Sequence, residues 1–124
     1  MKIQITNNSP IPAVHIIGCV GSFGNEYMEI CFDEEWKDLK KHVVFYPHNE
    51  MASPILLKYK QKPIRIPDEM FLQEGLCRYV VIGESKKRRL ISRTGFMSTI
   101  SVPETYILEK SPAISKIKKG GGLK

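Results

Sequence analysis

Short apolar runs separated by turn residues recur along the chain, and they predict strands rather than long helices. Lys2 to Thr6 alternates, with Ile3 and Ile5 on one face. Asn8-Ser9-Pro10-Ile11-Pro12 breaks it. Ala13 to Val20 is apolar almost throughout, the pattern of a strand buried on both faces, and Gly21-Ser22-Phe23-Gly24-Asn25 closes it. Met28, Ile30 and Phe32 alternate with Tyr27, Glu29 and Cys31, which predicts one core face and one mixed face. Val43 to Tyr46 is β-branched and aromatic and stops at Pro47, Ile55 to Leu57 is a weaker run, and Leu76 to Ile82 is a strong one. Gly83 to Arg89 forms the loop to Leu90-Ile91-Ser92. The last predicted strand is Met97 to Val102, with Ile100 and Val102 inward and Thr99 and Ser101 outward.

Two segments interrupt this β pattern with a single turn of helix each. In Phe32-Asp33-Glu34-Glu35-Trp36-Lys37-Asp38-Leu39, Asp33 suits an N-cap, and Glu34 and Glu35 lie where the helix dipole favours negative charge. Trp36 and Leu39 are three apart and share a face, so this turn can press both onto a sheet. Burying Trp36 is worth roughly 3 kcal/mol or more. In Ile66-Pro67-Asp68-Glu69-Met70-Phe71-Leu72-Gln73-Glu74-Gly75, Pro67 suits a helix start, Met70 and Phe71 are apolar, and Gly75 is placed for a left-handed cap. The expected fold class is therefore mainly β, a β-sandwich (Ig-like or jelly-roll-like) with two short helical turns. Each turn is expected to cover an open end of the sandwich.

The order of these features resembles small phage and prophage virion proteins of Gram-positive bacteria, notably the N-terminal β-sandwich domain of upper baseplate proteins. The matching positions are Phe32, Trp36 and Leu39, then Val43, Val44 and Phe45. They continue with Ile66, Pro67, Glu69, Met70 and Gly75, then Val80 to Gly83, and Val102. The match runs from about Ala13 to Val102 and rests on fold determinants. The resemblance implies a structural role in a tail or baseplate, exercised through protein–protein contacts with other virion subunits and in a homo-oligomer. It implies location in the virion after synthesis in the host cytoplasm, and it brings no catalytic residue and no cofactor.

Composition agrees with one domain. A chain of 124 residues with 42% hydrophobic and 26% charged side chains can bury a core without metals or disulfides. No apolar stretch approaches the roughly eighteen residues that span a bilayer, so no membrane insertion is expected. Met1 to Thr6 turns polar at Asn7-Asn8-Ser9 and lacks the apolar core of a signal peptide. Cys19, Cys31 and Cys77 are odd in number and widely spaced, which predicts buried free thiols.

The net charge of +6 is concentrated late in the chain. Residues 110–124 carry five lysines and no acid, which leaves 14 basic against 13 acidic residues in the body. This predicts one sandwich domain over 1–109 and a flexible basic tail over 110–124, whose glycine run behaves as a linker. Lys86-Lys87-Arg88-Arg89, at a hairpin tip, is the candidate contact patch for an acidic subunit or for nucleic acid. A nucleic-acid-binding accessory protein using that loop and the lysine tail is one alternative function, and a carbohydrate-binding module is another. The near-neutral body and the scarcity of aromatics weigh against the first, and the single, buried Trp36 against the second. His15 and Cys19, four apart in a strand, are spread over about 13 Å, a poor start for a zinc site. The acid pairs Glu34/Glu35 and Asp68/Glu69 sit at helix starts, where the dipole already accounts for them.

Overall fold

The computed structural model describes residues 1–22, 24–48 and 52–101. The last positions of the expected domain, Val102 among them, and the expected tail over 110–124 lie outside the described residues.

Ten strands and two 3₁₀ turns make up the described chain. The strands are β1 (Lys2–Thr6), β2 (Ser9–Ile11), β3 (Val14–Cys19), β4 (Tyr27–Phe32) and β5 (Lys40–Tyr46), followed by β6 (Ile55–Tyr59), β7 (Ile64–Arg65), β8 (Gly75–Glu84), β9 (Arg89–Ile91) and β10 (Gly95–Ile100). The 3₁₀ turns are Glu34–Trp36 and Asp68–Phe71. A four-stranded sheet has the order β2-β1-β4-β7. A six-stranded sheet runs β3-β10-β8-β5-β6, with β9 also on β8. The protein is a mainly β, two-sheet sandwich.

The core lies between the inner faces. Ile3, Ile5, Met28 and Ile30 come from the smaller sheet, and Val43, Phe45, Cys77, Tyr79, Val81 and Met97 from the larger. The two turns insert Trp36 and Met70 into this layer, and both are fully buried, with Leu39 and Phe71 close behind. Two glycines make room for the largest rings. A Cβ on Gly83 would lie 2.7 Å from Trp36 Cε3, and a Cβ on Gly95 would run into the Tyr79 ring. Each glycine opposes its aromatic closely enough that only a bare backbone fits.

Side-chain hydroxyls complete the hydrogen-bonding ladders where strands stop. β7 pairs with β4 only at Tyr27 and Met28. Beyond that point the Tyr59 hydroxyl reaches across from β6, accepts from the Ile30 amide at 2.8 Å and donates to the Ile30 carbonyl at 3.1 Å. Ser92, buried after β9, accepts from the Val81 amide at 2.9 Å. Thr99 donates to the Gln73 carbonyl.

Several expectations are corrected. Ala13 to Val20 is not a strand buried on both faces: β3 is the edge of the larger sheet, Ile16 is 63% exposed, and only Ile17 is fully buried. Ile17 turns inward by alternation with Ile16, and a bulge between Ser98 and Thr99 leaves it without a β10 partner. In β10 the expected faces are reversed, with Thr99 inside and Ile100 outside. Gly95 and Met97 fix that parity, and the Thr99 hydroxyl bond satisfies its polar group indoors. Asp33 occupies the N-cap position without a capping bond, because its carboxylate instead accepts from the Asn7 amide at 3.1 Å. Gly75 has the expected positive φ of 113° but uses it to enter β8, while Leu72 is the residue that ends the turn. The predicted break after Thr6 is a hairpin: Asn7 and Asn8, both at positive φ, form the two-residue loop to β2.

Candidate interaction surfaces

The outer faces of the two sheets differ in character. On the smaller sheet Lys2, Gln4 and Glu29 alternate outward between core residues, and Ile11 and Tyr27, each about half exposed, are the large apolar members of that face. On the larger sheet the outward positions are apolar across several rows. Val14, Phe96, Arg78 and Tyr46 lie side by side on β3, β10, β8 and β5. The next row is Ile16, Ser98 and Leu76, and another is Val80, Val44 and Leu56. Ile91 pairs with Ile82 at the far end. Val14, Ile16, Leu56, Leu76 and Ile91 are each at least half exposed.

The only full charges set among these rows are cationic. The Arg78 guanidinium rests 5.0 Å from the Tyr46 ring centroid, and Lys58 stands beside Leu56. Four strand spacings and about seven residues of β8 give the face roughly 20 Å in each direction. That corresponds to about 400 Å² in projection, the size of the largest apolar patch on a typical monomer, which is often functional.

The second surface is electrostatic. The antiparallel pairing of β5 with β6 and β8 gathers residues 33–41, 58–62 and 84–89 at one end of the sandwich. Those three segments hold ten basic and five acidic residues, a net charge of +5. The other described residues sum to −1. The charge balance of the body thus hides a strong polarity. Within the candidate patch, Arg89 Nε is 2.6 Å from Glu84 Oε2, and Arg88 donates to the Glu35 carbonyl at 2.6 Å. Lys86 and Lys87 remain exposed at the tip. Lys40, Lys41, Lys58 and Lys60, which sequence reasoning passed over, extend the basic surface from the hairpin to β6. The signal for them is the register that sets Lys41 opposite Tyr59 and His42 opposite Lys58, which depends on a pairing the hydrophobic pattern does not specify.

The motif residues of the notional baseplate pattern are brought together as core and not as a site. Trp36 is buried, the Phe32 ring packs against it tilted at a centroid distance of 5.4 Å, and Ile66 and Met70 are fully buried. Pro67 starts the second turn. The thiols divide: Cys77 is buried, Cys19 is half-buried and Cys31 is exposed, which corrects the expectation of three buried thiols. Cys31 faces out because Ile30 and Met28 take the inward parity of β4. Burial pushes the Cys77 thiol up to about 11 and raises the Tyr79 phenol further. Among the described residues no three His, Cys, Asp or Glu side chains converge on a metal-sized site, and no helix is long and apolar enough to cross a membrane. No family model and no curated protein matches the chain.

Proposed function

We propose that this protein is a non-enzymatic assembly module of a phage or prophage tail or baseplate, which packs the outer face of its six-stranded sheet against another virion subunit. The resemblance of the fold determinants to virion modules supports the virion assignment, and the exposed Val14, Ile16, Leu56, Leu76 and Ile91 on one sheet face, against Ile11 and Tyr27 on the other, support the choice of face. A subunit seated on this face would remove Ile16, Leu76 and Leu56 from water.

The partner follows from the charges. A two-fold contact between copies through these rows would leave Arg78 and Lys58 facing no carboxylate, because the rows hold none. The partner is therefore a different virion subunit, apolar, with an acid opposite Arg78. Homo-oligomerisation uses the edge strands β2 and β6, whose outer backbone groups are open to pairing.

Immunogold labelling of virions from an induced lysogen tests the location. Label at the tail tip is expected, and absence of the chain from purified particles overturns the proposal. Complementation tests the face: Ile16→Glu with Leu76→Glu abolishes particle assembly while leaving the urea unfolding midpoint of the isolated chain unchanged. Normal particle yield from that variant overturns the assignment of the face.

A further inference from the structure

The basic end of the sandwich does work that the apolar face does not explain. Two hollows of about 420 and 450 Å³ adjoin there and share Lys40 and His42. The first has Leu39 and Tyr59 in its wall and Lys58 and Lys60 along its rim. The second runs past Asp38 and Glu84 to Ser85 and Lys86. Together they form a trough across β6, β5 and β8, roughly 10 Å between the outer strand axes before the lysine stems add their reach.

We propose that this trough binds the phosphodiester backbone of a nucleic acid, without reading its bases. Three observations select that ligand. The end carries a net charge of +5 while the remaining described surface is slightly negative, so a polyanion is drawn to this end and not to the molecule as a whole. Both guanidinium groups of the hairpin, the natural bidentate partners of carboxylates, are held by Glu84 and the Glu35 carbonyl. What remains is a line of ammonium groups, compact point charges that suit phosphate oxygens and impose no planar geometry. Tyr59, the aromatic in the trough wall, is buried with its hydroxyl committed to Ile30 and offers no stacking face, which leaves the half-buried His42 imidazole as the ring shared by both hollows. Contact is mainly through charge. Lys41 is held inward, its ammonium 5.0 Å from the Phe32 ring centroid, which leaves Lys40, Lys58, Lys60 and Lys86 as the phosphate contacts.

The test is fluorescence anisotropy of the full chain with a labelled single strand of about 20 nucleotides. Oligo-dT and oligo-dA are expected to bind alike. With about four phosphates contacted, log affinity falls against log salt with a slope of roughly −3 between about 50 and 200 mM. Lys40→Gln/Lys58→Gln/Lys60→Gln, all exposed positions, weakens binding about tenfold or more at 50 mM salt and lowers the slope by about 2. Glutamine at the five lysines of residues 110–124 leaves the effect of that triple substitution intact. The Ile16→Glu/Leu76→Glu variant binds as the parent does, which separates this site from the proposed assembly face, the two meeting at Lys58. Parental affinity in the triple variant, no binding at about 50 mM salt, or tighter binding of labelled poly-glutamate each overturns the proposal. The last result would assign the end to an acidic protein.

Discussion

Gly83 and Gly95 are where the backbone yields to a ring, and substituting them measures how tightly the sandwich is closed. Gly83→Ala sets a methyl carbon 2.7 Å from the buried Trp36 ring, which cannot swing aside. A loss of about 1–3 kcal/mol is expected in urea unfolding, and more for Gly95→Ala because the Tyr79 ring lies closer still. Tyr59→Phe tests the hydroxyl that continues the β4 ladder. It strands the Ile30 amide and carbonyl indoors and costs about 1–3 kcal/mol, with faster hydrogen exchange at Ile30 than in the parent. The thiols respond to pH in a set direction. Cys77 has its pKa raised by burial to about 11 against 9.0, so the unfolded chain ionises first as pH climbs. Its share of stability is full below pH 9 and is lost between pH 9 and 11, a fall that Cys77→Ala reduces. Tyr79 acts in the same direction at higher pH. In native protein at neutral pH an aromatic disulfide reagent reacts first with exposed Cys31 and reaches Cys77 only on unfolding.

The elements were legible in proportion to how local their cause is. β1, β4, β5 and β8 follow from alternation, and both 3₁₀ turns follow from acids ahead of a paired apolar face. Trp36→Ala is expected to cost about 3–5 kcal/mol and Met70→Ala about 2–5 kcal/mol, since both are fully buried. What the sequence did not disclose depends on partners distant in the chain. Whether Ala13 to Val20 is central or at an edge is decided by β10, some eighty residues later, and so is the exposure of Ile16. Thr99 follows the inward parity of Gly95 and Met97, and the Gln73 carbonyl that satisfies its hydroxyl there is what no period-two pattern can see. The two-residue loop at Asn7-Asn8 carries a hairpin signal in its residue types, and it goes unnoticed only because β2 is three residues long.

At the scale of the whole molecule, the two surfaces separate by their response to salt. Contacts made by the apolar face hold or tighten as ionic strength rises, whereas anything bound at the basic end is released. A salt series on any complex of this protein therefore reports which surface holds it. The lysine-rich end was half legible: its hairpin stood out as consecutive residues, but Lys40, Lys58 and Lys60 join it only through strand pairing. The apolar face was hidden for a similar reason, because an outward Leu76 and an inward Cys77 read alike in a continuous apolar run. The position of β10 has a further consequence for biosynthesis. It is inserted between β3 and β8, pairing parallel with one and antiparallel with the other. As the chain emerges from the ribosome, β3 has no neighbour in its sheet until Ile100 has cleared the exit tunnel. The nascent polypeptide keeps Val14 to Ile17 without that neighbour while some eighty further residues are made, an interval in which a chaperone has much to protect.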